Sequence, residues 1–459
     1  MSGALAHVAG PRIGVGALPP SKLLRSIPLP KLAERVLDNG LRVVAIRKPG
    51  VPMVEVRLRT FASVGRQSSI DRARRRLWGR TLLAGTTERD LATIAQDLQR
   101  LGAGLGGGAD AEEAALGGSV LATGLPAYLA LLAEVLTAST FPAAEVALER
   151  DRCTHEVILQ RSQPATIARL ALTRRVYGDH PYGAGLPEPE AFAAVTPAVL
   201  RRYARERIGP GGATLVLVGD LRPAATLDVA EAALGGHVWP AGKPSPGIPI
   251  PPPIHRGPIQ IVDRPGAVQS NLRLGGPALP RRDPGFLPLS LANLIYGGYF
   301  SSRLVANIRE DKGYTYSPHS GIEHSLAASL VTVSADVATE VTAAALLEIA
   351  YEQGRMATTA VGESELEDAK RYLLGSVVLS LQPQAGLAAY LTNLLGQGLE
   401  LDYIRTLPTR VAAVTAAQVR EAAATYLGPA HLVSVVVGDL AAIEGSVGSL
   451  GEIEPVPSP

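Results

Sequence analysis

The sequence predicts an α+β protein that contains two copies of one domain, each with a mixed, mostly antiparallel sheet packed against helices. The first observation is an internal repeat. Residues 194–221 and 413–440 align without gaps at an offset of 219, and 13 of the 28 aligned positions are identical. A repeat at fixed spacing indicates duplicated structural units, here of about 220 residues each. Second, strand-like and helix-like segments are mixed without strict alternation, which is typical of the α+β class. Third, residues 238–258 hold eight prolines in 21 residues, which predicts a stiff, extended linker between the copies.

These features divide the 459 residues into five predicted parts. The start of the chain is interrupted throughout by Gly and Pro, which favours a flexible arm over a packed element. The predicted parts are an N-terminal arm (1–35), a first domain (36–237), a Pro-rich linker (238–255), a second domain (256–445) and a tail (446–459).

The first domain opens with two aliphatic runs, Gly40–Ile46 and Val54–Leu58, which predict the strands of a hairpin. It closes on a helix over 198–208 that stops at Gly209-Pro210, followed by a buried strand over 214–218. Between these ends, the apolar pattern predicts strands near 104–109 and 114–121 and helices over 87–101, 125–137, 143–161 and 165–176.

The second domain repeats this order. Strands are predicted at Ile259–Val262 and Ser270–Leu274, helices from 284 and 302, and a closing strand at Leu432–Val437. The longest uncharged run, Tyr372–Leu399, is long enough to cross a bilayer. Gln, Asn and Pro residues interrupt it, so two buried helices joined at Pro383 explain it better than a membrane span.

Composition excludes several classes of function. The 44 basic and 42 acidic side chains leave a net charge of +2, which argues against nucleic acid as the main partner. The single cysteine, Cys153, excludes an internal disulfide or a cysteine-based zinc site. We find no signal-type start and no membrane partner, and we expect a cytoplasmic location.

Common enzyme signatures fail. Residues Gly102–Gly107 satisfy G-x-G-x-x-G, but they follow a helix rather than a strand, which favours a loop that enters a strand. There is no phosphate loop and no nucleophile elbow, and the eight histidines form no helical metal pair. The run Asp71–Arg76, with Arg80 one turn later, is the strongest local charge. It is either a solvated helix face or a docking patch for an acidic partner.

The segment Gly297–Ser317, GGYFSSRLVANIREDKGYTYS, resembles the second-domain signature of the pitrilysin/insulinase-type zinc peptidases (family M16), especially their smaller bacterial members. The likeness extends over nearly the whole chain. It includes LDNGLRVV at 37–44, GTTER at 85–89, DHPYG at 179–183, VDRPGA at 262–267 and both VGDL strand ends. A duplicated domain is also a trait of this family.

The first domain departs from the family at its metal motif. Active members carry H-x-x-E-H on a helix, nine residues before a Gly-Thr pair that corresponds here to Gly85-Thr86. Counting back places Arg76, Gly79 and Arg80 at the motif positions. Arginine has no lone pair to offer a cation, so these residues cannot bind zinc. The family's third ligand is a glutamate some seventy-odd residues further on, for which Glu149 is the nearest candidate.

A lost metal motif beside an intact second-domain signature resembles the non-zinc subunit of bacterial heterodimeric members. The resemblance implies no cofactor in this chain, zinc in a homologous partner chain, a peptide substrate, and an Arg–Tyr pair seven residues apart. That pair falls on Arg309 and Tyr316, with Tyr314 as a further substrate-binding residue. The helix carrying Arg309 is predicted to stop at Gly313, and Tyr314 and Tyr316 are predicted on one face of a following strand.

Two interpretations of this pair stay open. In the first, the Tyr316 hydroxyl donates to the oxygen that becomes negative during peptide hydrolysis, and Arg309 binds neighbouring substrate carbonyls. In the second, Arg309 caps helix carbonyls and Tyr316 packs at the edge of the core. The corresponding alternative function is an inert scaffold or peptide-binding assembly subunit.

Overall fold

The computed structural model describes residues 24–61, 68–236 and 247–458. Within them lie two six-stranded mixed sheets with helices packed against each, which confirms the α+β class. Each half has its own apolar core built largely from Leu, Val, Ile and Ala. No helix of the described residues is long and apolar enough to span a bilayer.

Five strands follow one another in the same order in the two halves, whereas the sixth, an edge strand, comes first along the chain in the first half and last in the second. The first half contains β1 (Leu32–Val36), β2 (Arg42–Arg47), β3 (Met53–Phe61), β4 (Gly104–Ala109), β5 (Glu113–Leu121) and β6 (Thr214–Gly219). The second half contains β7 (Ile259–Asp263), β8 (Gln269–Ala278), β9 (His319–His324), β10 (Ser329–Ala338), β11 (Val433–Gly438) and β12 (Ile453–Val456).

The helices repeat as well. Those of the first half are α1 (Ser69–Thr81), α2 (Leu91–Arg100), α3 (Leu125–Ala138), α4 (Ala143–Ser162), α5 (Pro164–Tyr177), α6 (Pro197–Arg207) and α7 (Pro223–Leu234). In the second half, α8 (Phe286–Asn293) and α9 (Arg303–Val305) run on into π-helical turns, Leu294–Gly298 and Ala306–Asp311 respectively. They are followed by α10 (Thr342–Thr358), α11 (Glu363–Ser380), α12 (Gln384–Gly396), α13 (Asp402–Ala412), α14 (Ala416–Tyr426) and α15 (Leu440–Gly448).

The sheet order corrects one prediction. The orders are β1-β2-β6-β3-β5-β4 and β12-β7-β11-β8-β10-β9, so β2 and β3 do not form a hairpin. Strand β6 lies between them, parallel to β2 and antiparallel to β3. Its residues Leu215–Val218 are fully buried, and a strand that is apolar on both faces belongs in the middle of a sheet.

Each half contributes one helix that packs on the sheet of the other half. The apolar face of α5 packs on the second sheet, where Ile167 and Leu172 join Val433 and Val435 in one cluster. Reciprocally, α12 packs on the first sheet, in a cluster that the following residues build: Val44, Val216, Val218, Leu387, Leu391 and Leu394. Helix α11 ends at Ser380 and α12 begins at Gln384, which confirms two helices joined at Pro383. Each helix buries only one face, since Tyr372 and Leu379 of α11 are exposed.

The ends of the chain and the linker contribute to this packing. Residues 1–23 of the predicted arm and 238–246 of the predicted linker lie outside the described residues. From the rest of the arm, Ile27 is buried and β1 pairs with β2. From the tail, β12 pairs in parallel with β7. The linker is held where the Nε2–H of the buried His180 donates to the carbonyl oxygen of Pro249, at 2.8 Å.

Candidate functional site

Helix α1 carries the altered motif positions. A capping box starts it: the Ser68 hydroxyl accepts from the Asp71 amide, and the Asp71 carboxylate accepts from the Ser68 amide. Leu77 and Trp78 are buried in the first core. Arg76 and Arg80 are four residues apart, so they lie one above the other on a helix face.

Both guanidinium groups bind one carboxylate, that of Glu156 on α4. Arg76 Nη2 lies 2.8 Å from Glu156 Oε2, and Arg80 Nη2 lies 2.7 Å from each Glu156 oxygen. The hydrogen bond from Arg76, more than any other interaction, holds the pKa of Glu156 below its ordinary value. The Gln160 side chain accepts from Arg76 at 3.2 Å and completes the cluster.

Glu156, rather than Glu149, is therefore the glutamate that faces the motif. Glu149 bonds to Arg152 at 2.6 Å, one turn along its own helix. Sequence reasoning missed Glu156 because a spacing of seventy-odd residues fits both positions. Helical register does not distinguish them either, because residues seven apart, about two turns, lie on the same face of α4. What distinguishes them is the level along α4 at which α1 packs, which places Glu156 beside Arg76 and Arg80.

Gly79 has no room for a side chain. A Cβ atom added there would lie 2.8 Å from the Cα of Gly108 and 3.0 Å from the carbonyl oxygen of Gly107, both in β4. Real Cβ atoms rarely approach backbone this closely, so β4 occupies the space that a glutamate at position 79 would need.

The residues present do not fit a zinc ion. Two arginines and a glycine stand at the motif positions, and the facing Glu156 is already neutralised by two cations. Zinc sites in proteins use thiolate, imidazole and carboxylate ligands. Across the ranges that the structure describes, no group of three or more His, Cys, Asp or Glu residues could hold a metal.

The second group of predicted residues lies on the π-helical turn after α9. The helix ends at Gly313, which adopts a left-handed conformation with φ of 65°. The amide of Tyr314 donates to the carbonyl of Ile308 at 2.8 Å and satisfies the helix end. The helix stop is as predicted, but the strand is not: Tyr314 and Tyr316 lie in a loop, and β9 begins only at His319. Pro318 immediately precedes β9 and has no amide hydrogen for a ladder.

Arg309 and Tyr316 are brought together by stacking. The Cζ atom of Arg309 lies 5.0 Å from the ring centroid of Tyr316 and 4.5 Å from that of Phe300. The guanidinium therefore contacts two rings, while its Nε lies 3.4 Å from the Glu310 carboxylate. Tyr316 is 82% exposed and Phe300 is 66% exposed. A side chain so exposed does not pack at a core edge, whereas Tyr314 does pack against the second core.

The segment Asp179–Gly183 joins the two halves. Tyr182 donates its hydroxyl hydrogen to the Glu112 carboxylate, in the turn between β4 and β5. Glu112 Oε1 also accepts from the Leu326 amide at 2.9 Å, and the Tyr182 oxygen accepts from the Ala327 amide at 3.1 Å. This network ties the β4–β5 turn of the first half to the β9–β10 turn of the second.

The fold consists of two duplicated halves, and in the first half the motif helix faces a glutamate on a second helix. This arrangement defines the class of two-domain peptidase-like proteins. A sequence profile described as insulinase (peptidase family M16) matches residues 76–190, and one described as the peptidase M16 inactive domain matches residues 194–373. The chain belongs to peptidase family M16.

Relatives and solved structures agree with this assignment. An uncharacterized zinc protease of Streptomyces coelicolor is 25% identical over 87% of this chain and 88% of its own length. The uncharacterized zinc protease YmxG of Bacillus subtilis is 24% identical over 75% of this chain and 83% of its own. A crystal structure of the peptidase M16 inactive domain from Pseudomonas fluorescens has a TM-score of 0.77 and 27% identity, and covers 89% of this chain and 98% of that one. A Helicobacter pylori protease, at 17% identity and TM-score 0.77 over 89% of this chain and 100% of its own, supports the fold alone.

Proposed function

We propose that this chain is the non-metal subunit of a heterodimeric M16 zinc peptidase. In this proposal a homologous partner chain carries H-x-x-E-H, and Arg309 and Tyr316 of this chain complete the site that hydrolyses a peptide. The observation that supports it best is the contrast between two positions. The metal motif positions are occupied by the Arg76–Glu156–Arg80 cluster, whereas the partly exposed Arg309 guanidinium stacks on the exposed ring of Tyr316.

The chemistry of the two side chains suits such a role. Hydrolysis of a peptide bond builds negative charge on the carbonyl oxygen, and the phenolic O–H of Tyr316 is a donor that such an oxygen accepts. The Arg309 guanidinium offers several N–H donors in a fixed plane for the carbonyls of the bound peptide. Stacking between Phe300 and Tyr316 restrains that plane before substrate arrives, which lowers the entropic cost of binding. The proposal includes Tyr314, two residues earlier in the same loop, as a further substrate-binding residue.

The alternative is an inert scaffold or peptide-binding subunit. The ionic closure of the motif favours it, because a chain that only holds a complex together needs no reactive group. A scaffold has no need of an exposed Arg–Tyr pair, so substitution of that pair distinguishes the two. The proposal includes a cytoplasmic location, which rests on the single, buried Cys153.

Co-expression with an H-x-x-E-H-bearing homologue from the same genome tests the proposal. We expect a one-to-one complex by size-exclusion chromatography with light scattering. We also expect peptide hydrolysis by the complex and by neither chain alone. Persistent monomers at micromolar concentration would contradict the proposal. So would stoichiometric zinc in this chain alone, purified without chelator, if substitutions in residues 76–80 remove that zinc.

A further inference from the structure

Two cavities lie on either side of α5, and together they form a trough between the halves. Their volumes are about 700 and 710 Å³, and they share Arg72, Gly185 and Leu186 in their walls. Each cavity is as large as a site for a drug-sized ligand. We call the pair the α5 trough, because residues 169–177 of that helix line both parts.

Arginine dominates the lining of the first cavity. The only acidic residue among its lining residues is Glu188, which bonds to Arg161 at 2.7 Å. The arginines are contributed by α1, α4, α5 and the segment after the linker: Arg72, Arg161, Arg174, Arg175 and Arg256.

The second cavity extends along the altered motif. Its acidic lining residues are Asp110, Glu112 and Glu323, and burial raises the pKa of both Asp110 and Glu112. Four of its arginines belong to the basic run that is either a solvated helix face or a docking patch, namely Arg72, Arg75, Arg76 and Arg80, and the fifth is Arg169 of α5.

The trough concentrates the positive charge of the molecule. Its walls hold nine different arginines against four carboxylates, or seven when the ion-pair partners Glu156, Asp179 and Glu454 are included, a surplus of two that equals the net charge of the whole chain. Arginine stays charged at every physiological pH. The remainder of the chain is therefore close to neutral, so the positive field is localised at the trough.

Several of these arginines are available to a ligand. Arg169 is exposed and forms no ion pair with a described residue. Arg174 lies 3.2 Å from Asp179, but both side chains are largely exposed, so that pair is weak. Arg256 contacts the Nδ1 atom of His431 at 3.1 Å rather than a carboxylate.

We infer that the α5 trough binds an acidic peptide segment, in which several Asp or Glu side chains pair with arginines on both sides of the helix. Carboxylates accept two parallel hydrogen bonds from a guanidinium, which makes them the matching group. The extent of the trough favours a peptide over a single small anion. This inference rests on the proposed function, for which it names the substrate class, but the binding itself requires no partner chain.

Fluorescence anisotropy on the full chain tests the inference. The probe is a fluorescein-labelled octapeptide of alternating Glu and Gly, and the reference is the same peptide with Gln in place of Glu. We expect the Glu peptide to bind at least about tenfold more tightly at low ionic strength, and added salt to reduce the difference. Equal affinity for the two peptides would overturn the inference.

Matched variants locate the binding. We expect R169Q/R174Q to weaken Glu-peptide binding about tenfold, because two charges of the trough are lost. The control R100Q/R405Q removes two arginines that are outside the trough and 69% and 59% exposed, and it should bind like the unsubstituted chain. Equal affinity of the two double variants would contradict the proposed location. Circular dichroism checks that each variant is folded. If the double variant disturbs α5, the binding measurement is repeated with Arg256→Gln, because Arg256 lies outside that helix. Failure here leaves the heterodimer proposal standing, and failure of the heterodimer leaves this result unaffected.

Discussion

Equivalent helix pairs in the two halves carry different chemistry. Helix α1 of the first half corresponds to α8 and the π-helical turn that follows it in the second half, and α4 corresponds to α11. In the first half the α1–α4 contact is ionic. In the second half Ile295 of that turn is buried, and Tyr299 stacks on Tyr372 of α11 with ring centroids 4.9 Å apart.

The comparison separates fold from function. Both pairs support the same sheet-and-helix unit, so the fold does not require a particular chemistry at these positions. In the second half the exposed rings of Phe300 and Tyr316 lie instead on either side of the π-helical turn Ala306–Asp311, which carries Arg309. We therefore expect substitutions in the first-half cluster to change stability, and substitutions around Arg309 to change catalysis by the complex.

The largest effect is expected from Tyr316→Phe in the reconstituted pair. Loss of one donor to a developing oxyanion lowers kcat about 10²–10³-fold, or roughly 2.7–4 kcal/mol, with little change in KM. Steady-state kinetics measures both constants. Tyr314→Phe, whose ring packs on the core, is the control and should have the smaller effect. A Tyr316→Phe complex that assembles and keeps its kcat would exclude the oxyanion role.

Gly79→Ala tests the closure of the first-half motif. The added methyl group would meet the backbone of Gly107 and Gly108, so we expect a loss of about 1–3 kcal/mol in the free energy of unfolding. Denaturant titration measures it. Gly375→Ala is the matched control: its Cβ meets nothing within 4 Å in the interior of α11, and it should stabilise by about 0.5–1 kcal/mol. Small and equal changes in the free energy of unfolding for the two variants would mean that β4 shifts at little cost to make room for the methyl group.

Glu156→Gln tests the ionic cluster through its pH dependence. The pKa of Glu156 in the folded chain lies below the ordinary 4.5, so the ion pairs stabilise the fold above that pH and stop doing so as the pH falls through the lower folded pKa. Because the side chain is 37% exposed, we expect about 1 kcal/mol or less at neutral pH. The difference in unfolding free energy between wild type and variant should vanish in acid. A difference that persists at low pH would indicate a packing effect.

Phe300→Leu is expected to have the smallest effect. It removes one of the two rings that hold Arg309, and an exposed cation–π contact is worth about 0.5–1 kcal/mol. We expect a rise of about two- to fivefold in KM of the complex, with kcat nearly unchanged. Tyr351→Leu removes a similar exposed contact, with Arg355 on α10, and should leave KM unaltered. An unchanged KM for Phe300→Leu would mean that Tyr316 alone orients Arg309.

Local signals predicted most of the elements that have strong periodicity or clear stops. The repeat, the helix stop at Gly313 and the helix break at Pro383 each depend on a few neighbouring residues. Strand order could not be predicted in the same way, because β6 joins β2 and β3 from about 160 residues away along the chain, and such pairing depends on global packing. The facing glutamate was missed for the same reason: Glu149 and Glu156 lie two turns apart on the same face of α4, and only the level at which α1 packs on that helix decides which of them binds the arginines.

The reciprocal exchange of α5 and α12 has a consequence for how such a chain arose. A single copy of the repeat would send its own helix away and leave one face of its sheet uncovered, exposing residues such as Val216 and Val218 to water. In two copies related by a twofold axis, the helix of each copy covers the sheet of the other, as in domain-swapped homodimers. Fusion of two such copies makes this reciprocal packing intramolecular, after which selection acts on each copy separately. One copy can then lose its metal ligands while the reciprocal packing of the two helices is retained.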